Sequence, residues 1–145
     1  MLYEFFISEQ DLILLHQHAE TSFPNEAAAL LFGNITKNIV KANRAELVEN
    51  DSNYPKTSFS VNPEIEYQLL IEAEELGESL VGIYHSHLAP PEPSKTDLKN
   101  MRLNPVVWLI SSKITGEWIS RAYLLDEQKV SEVPIKCANS SVSSS

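Results

Sequence analysis

Residues 84–97 read YHSHLAPPEPSKTD and hold two of the chain's four histidines together with Ser94 and Asp97. In an extended strand, residues i and i+2 project to one side, so His85 and His87 aim two imidazoles together while Tyr84 and Ser86 face the other way. The chain supplies its own control. His16 and His18, in LHQHAE, have the same spacing in a helical stretch, where i and i+2 fall roughly 200° apart and cannot grip one ion. After His87, Pro90, Pro91 and Pro93 stiffen a loop, and Ser94 opens a helix whose third residue is Asp97. A capping box accounts for Ser94 and Asp97 alone, since the hydroxyl accepts from the Asp97 amide and the carboxylate favours the positive helix end. With the histidines, His85, His87 and Asp97 make a two-imidazole, one-carboxylate set of the kind that gives catalytic zinc three protein ligands and an open fourth position. The two roles are compatible, because a helix start holds a carboxylate where a flexible loop could not.

The elements that must position these groups follow from the pattern of apolar residues. LYEFFI (2–7) reads as a strand, and residues 8–23 as a helix with Ser8 at its N-cap and Leu12, Leu15, His16 and Ala19 on one face. EAAALLFGNI (26–35) is a buried strand with NIVKANRAEL (38–47) as its hairpin partner, and residues 49–59 have loop composition. Residues 64–80 predict a second helix, apolar along Ile65, Leu69, Ala73 and Leu76. LVGIYHSH (80–87) is a third central strand, residues 94–104 a short helix, residues 105–112 and 117–126 a closing hairpin, and KVSEVPI (129–135) one further edge strand. Helices interleave with strands, which predicts an α/β sandwich around a mixed sheet.

Composition bounds the partners. A chain of 145 residues suits one domain with a core that needs no structural metal, so a metal serves chemistry. Residues 1–136 are read as that domain, and CANSSVSSS (137–145) as a disordered Ser-rich tail. The net charge of −9 repels a phosphate backbone and argues against nucleic acid. No apolar run approaches the ~18 residues of a membrane span. The lone Cys137 cannot form an intrachain disulfide and the N-terminus lacks a secretory signal, so a reducing cytoplasm is the expected location. Of His16 and His18, one is expected half-buried and the other solvated, and Trp108 and Trp118 are expected in the core or on a sheet face. No H-E-x-x-H or P-C-x-x-C motif competes for the metal.

HSH at the end of an apolar strand, PSKTD beyond it and FPNEAAALLFG upstream together resemble the JAMM (MPN-plus) family of zinc isopeptidases, over roughly residues 8–130. Three details differ. Six residues, Leu88 to Pro93, separate His87 from Ser94, one fewer than in the family signature; Ala29 stands where the family often has Gly; and Leu88 replaces a frequent Pro. The resemblance implies an α-β-α sandwich of the MPN/JAB, cytidine-deaminase-like type in which His85, His87 and Asp97 bind Zn2+, Glu26 is the general base and Ser94 helps hold the oxyanion. It further implies hydrolysis after the C-terminal Gly-Gly of ubiquitin or a ubiquitin-like modifier, with a proteasome-type assembly as a partner to consider. The acidic loop VENDSNYPKT (48–57) is expected to receive the modifier's tail as an added strand. Two alternatives stand beside this reading: a processing protease for a ubiquitin-like or sulfur-carrier precursor, and a non-catalytic MPN scaffold.

Overall fold

Strand β1 (Glu4–Ser8) runs directly into helix α1 (Glu9–Ser22), where the Ser8 hydroxyl accepts from the Asp11 amide at 3.0 Å. The computed structural model describes residues 2–138. After α1 come strands β2 (Ala28–Thr36) and β3 (Ile39–Val48), helix α2 (Pro63–Glu75), strand β4 (Ser79–His87), helix α3 (Lys95–Leu103), and strands β5 (Val107–Ser112), β6 (Ile119–Asp126), β7 (Lys129–Val133) and β8 (Ile135–Ala138). One mixed sheet takes them in the order β7-β6-β5-β4-β2-β3-β1-β8, with β4–β5, β1–β3 and β1–β8 parallel and the rest antiparallel.

Helices cover both faces, as the alternating pattern predicts. On one, Leu15 and Ala19 of α1 pack with Phe5, Ile7, Leu31 and Leu109; on the other, Ala73 of α2 and Met101 of α3 pack with Leu30, Ile83, Trp108 and Ile110. Trp118 is half-buried against the first cluster. Register breaks twice. Val81 bulges out of the β2–β4 ladder between the Leu31–Gly82 and Phe32–Leu80 pairs, and Asn43 out of the β2–β3 ladder between Phe32–Arg44 and Gly33–Ala42. At the second break the strands approach so closely that a Cβ on Gly33 would lie 1.9 Å from the Lys41 carbonyl oxygen, so only glycine fits.

Three expectations need correction. The single edge strand at 129–135 is two strands: Pro134, which has no N–H for a ladder, separates β7 from β8, and the two occupy opposite edges of the sheet. One residue can join opposite edges only if the sheet curls round, and the Phe5 amide donates to the Pro134 carbonyl at 3.0 Å across that junction. Cys137 and Ala138, read as the start of the tail, pair with Ile7 and Ser8 in β8; residues 139–145 lie outside the described residues. Helix α2 ends at Glu75 rather than near residue 80, because Gly77 adopts φ 74° and turns the chain into β4; Ile65 and Leu76, expected on its buried face, are largely exposed. Among the described residues no helix is long and apolar enough to cross a membrane.

Candidate metal centre

Strand β4 lies between β2 and β5, and its last three residues are His85, Ser86 and His87. His85 is fully buried, stacked on Phe59 at 4.6 Å between ring centroids and edge-on to Trp108 at 5.6 Å. His87, also buried, points to the same side, as strand alternation requires. Its Nδ1 donates to the Pro90 carbonyl at 3.3 Å, so Nε2 faces inward and carries a lone pair when the ring is neutral. The proline loop is anchored a second time by Tyr123, whose hydroxyl donates to the Pro91 carbonyl at 2.7 Å.

That loop delivers Asp97 despite its shorter length. Asp97 Oδ2 lies 3.2 Å from His85 Nε2 and 3.0 Å from His87 Nε2, and the two nitrogens are 2.8 Å apart. Donors around a tetrahedral ion with 2.0–2.1 Å bonds stand roughly 3.3–3.4 Å apart, so the two edges to Asp97 need to open by roughly 0.1–0.4 Å and the edge between the imidazoles by about 0.5–0.6 Å to hold one. Its chemistry points the same way. With both rings neutral and both Nε2 atoms unprotonated, the two imidazole nitrogens and the carboxylate oxygen turn three lone pairs to one point, which a single cation meets together. Among the described residues, His85 Nδ1 and Glu26 Oε1 are buried polar atoms with no partner.

The capping box is present as well. Ser94 Oγ accepts from the Asp97 amide at 3.0 Å, and the Ser94 amide donates to Asp97 Oδ2 at 2.9 Å. The oxygen that caps the helix is therefore the same oxygen that faces the imidazoles. Ser94 keeps its own O–H for a further acceptor.

Glu26 sits in the turn between α1 and β2, two residues before β2 begins. The β2–β4 ladder pairs Ala28 with His85, and Ala27 donates to Ser86 Oγ at 2.8 Å and accepts from the Ser86 amide at 3.1 Å. This brings Glu26 to the imidazoles, its carboxylate within 4.8 Å of a ring nitrogen on each. Asp97 Oδ2 thus meets the rings at hydrogen-bonding distance, and Glu26 stands a step further out.

Burial and charge set the protonation states. Burial pushes the Glu26 carboxyl up to about 7, opposed by His87 and reinforced by Asp97. For Asp97, burial acts upward, but hydrogen bonds from His85, His87 and the Ser94 amide hold it far below the usual carboxylate range. Burial lowers His85. It also acts downward on His87, where the hydrogen bond and charge of Asp97, with Glu26 and the Pro90 carbonyl, outweigh it and raise the ring's pKa.

The remaining histidines stay apart from the cluster. His16 Nε2 lies 2.7 Å from Ser120 Oγ and His18 Nε2 donates to the Ala28 carbonyl at 2.9 Å; both are half-buried, so neither is the solvated residue expected of one of them. Residues 48–57 include no strand of their own after Val48, but the loop does flank the site, with His18, Asn25, Glu26, Glu49, Asn50 and Pro55 lining a cleft of about 590 Å³. Sequence reasoning missed the supports: Phe59 over His85, Ser86 bonded to Ala27, and Asn50 beneath Glu26. Each lies far along the chain from the group it holds, and only Ser86, between two histidines, carried a local signal.

Comparisons with known proteins place the chain in a family. Residues 8–125 match the family of prokaryotic homologs of the JAB domain. The chain is 38% identical over 112 residues to a desampylase of Pyrococcus furiosus, across 76% of this chain and 74% of that protein. It is 33% identical over 106 residues to a desampylase of Haloferax volcanii, across 71% of this chain and 75% of the relative. The solution structure of a protein from Desulfitobacterium hafniense superposes with a TM-score of 0.82 at 23% identity, covering 93% of each chain, and supports the fold. The chain therefore belongs to the JAB domain family, the JAMM (MPN-plus) family its motif resembles, and is an enzyme of that hydrolase type.

Proposed function

We propose that this chain is a zinc-dependent isopeptidase that removes ubiquitin or a ubiquitin-like modifier by hydrolysis after its C-terminal Gly-Gly, in the cytoplasm. The observation that carries the reading is the triangle of His85 Nε2, His87 Nε2 and Asp97 Oδ2 with the carboxylate of Glu26 beside it, its Oε1 without a partner among the described residues. The name shared by the two relatives, desampylase, denotes removal of a ubiquitin-like modifier and supports the substrate class.

In this proposal His85, His87 and Asp97 hold zinc, which supplies Lewis acidity toward the scissile carbonyl and toward water at neutral pH. Glu26, as carboxylate, takes a proton from the attacking water and returns it to the leaving amine, work typically worth 10²–10⁴-fold. Its buried setting suits a group that must both accept and release a proton near neutrality. Ser94 directs its free O–H at the developing oxyanion, a contribution of ~2.7–4 kcal/mol in other acyl-transfer enzymes. The bond to be cleaved must arrive extended, and residues without side chains let its backbone come close to the buried cluster. The loop at 48–57 flanks Glu26 and is the proposed rail for that tail. An exposed free thiol at Cys137 is in keeping with a reducing compartment.

The deciding experiment incubates zinc-loaded protein with a ubiquitin-like modifier conjugated through Gly-Gly, with and without chelator, beside a conjugate carrying bulky residues at those two positions. Cleavage of the Gly-Gly conjugate alone, abolished by chelator, is expected. Chelator-resistant cleavage refutes zinc catalysis, and equal cleavage of both conjugates refutes recognition of the tail.

A further inference from the structure

Asn50 ties the loop after β3 to the backbone of Glu26. Its Nδ2 donates to the Glu26 carbonyl at 2.9 Å and to the Ser58 carbonyl at 3.0 Å, while its Oδ1 accepts from the amides of Ser52 and Ser60, each at 3.1 Å. Two donors and one oxygen with two lone pairs are the whole capacity of a side-chain amide, and all of it is used. The same loop makes one more bond, from the Glu26 amide to the Pro55 carbonyl at 2.6 Å. Both backbone polar groups of Glu26 are thereby taken by residues 50–55. One residue later the attachments change: Ala27 bonds to Ser86 on both sides, and the sheet ladder begins at Ala28. Glu26 thus stands just outside the sheet that carries His85 and His87. Its Oε1 has no partner among the described residues, so that oxygen does not fix the side chain's position. The distance from its carboxylate to the imidazoles depends on where the loop holds its backbone.

We infer that Asn50 is a positioning residue for Glu26: through one amide it folds the 50–60 loop and fastens it to Glu26, so that the carboxylate stands within reach of both His85 and His87. The inference rests on the isopeptidase reading, in which Glu26 moves the proton. A misplacement of ~1 Å at a reacting group can cost about 10²-fold in rate.

Asn50→Asp tests this with least disturbance, because it keeps the oxygen that receives Ser52 and Ser60 and replaces the donors to Glu26 and Ser58 with an acceptor; Asn50→Ala removes everything. In the zinc-loaded enzyme each is expected to lower kcat about 10- to 100-fold, with KM and zinc content unchanged. In a Glu26→Ala background the same substitutions should change the residual rate less than about twofold, since a positioning residue has nothing left to position. In zinc-free protein, hydrogen exchange at the Glu26 amide should accelerate in both variants. An unchanged kcat, an equal loss in the two backgrounds, or a Glu26 amide as protected as in the parent would overturn the assignment. If Asn50→Ala fails to fold, Asn50→Asp decides. Should the parent protein cleave no conjugate, the isopeptidase reading fails by itself, and exchange at the Glu26 amide still tells whether Asn50 holds that backbone.

Discussion

Replacing Glu26 by Gln separates the proposed proton carrier from the proposed ligands, and the size of its effect on stability can be worked from the burial of the side chain. In zinc-free protein the Glu26 carboxyl, 4% exposed, keeps its proton up to about pH 7 instead of the ordinary 4.5. At 1.36 kcal/mol per pKa unit, that difference corresponds to about 3 kcal/mol. The folded state binds this proton more tightly than the unfolded state, so the group's contribution is fully present below pH ~4.5 and is lost as pH rises toward 7. The amide of the Glu26→Gln variant titrates nowhere in this range. The stability of the parent minus that of Glu26→Gln should therefore fall by about 3 kcal/mol between pH 4.5 and 7 and stay flat above. Urea unfolding of chelator-treated protein at several pH values measures it, since a single domain of this size unfolds in one cooperative step. Groups that Glu26 does not influence titrate alike in both proteins and drop out of the difference, while His87, whose ring Glu26 helps to raise, contributes within it. A flat or rising difference curve would refute the claim that Glu26 is buried uncharged. With zinc restored, the variant should keep its metal and lose roughly 10²–10⁴ in turnover, checked by elemental analysis and a cleavage assay on one sample.

His85→Ala, His87→Ala and Asp97→Ala should each abolish tight zinc binding, whereas His16→Ala with His18→Ala should leave it unchanged; full metal content in Asp97→Ala protein would remove Asp97 from the ligand set. Ser94→Ala should cost ~0.5–2 kcal/mol through the lost cap and lower the rate as well, so melting and kinetics are read together, and a loss of stability alone would leave Ser94 as a cap only. Gly33→Ala should destabilise by at least the ~1–3 kcal/mol of an overpacked core, seen as a lower urea midpoint, because the new Cβ meets the Lys41 carbonyl oxygen.

How far these groups could be recognised from sequence depends on how local each geometry is. His85 and His87 were legible because strand alternation is a rule of adjacent residues, and Ser94 and Asp97 because a capping box closes within three positions. Glu26 was not legible from physics: among twenty acidic residues nothing marks the one two residues before a strand, and only the family resemblance singled it out. Its environment is assembled from the neighbouring strand β4, distant in sequence, and from a loop more than twenty residues away, at Asn50. The same distinction explains the fold. Apolar patterns located the helices and most strands, but the length of α2 turned on the conformation of Gly77, and the edges taken by β7 and β8 on how the sheet curls.

Three separate segments meet at the cluster, and each arrives by a different kind of constraint. The imidazoles come from a strand held on both sides by neighbours, so their mutual placement is fixed by ladders to β2 and β5. Asp97 comes from a helix start, where Ser94 grips the same oxygen that faces the rings; lengthening or shortening the proline loop moves slack into Leu88–Pro93, not into the cap. Such a division accounts for the tolerance of one missing loop residue. Glu26 alone is held by a loop, and by its backbone. If Glu26 is the base and His85, His87 and Asp97 the ligands, as proposed, sequence change in residues 50–60, which hold the Glu26 backbone, should alter rate without altering the affinity for metal.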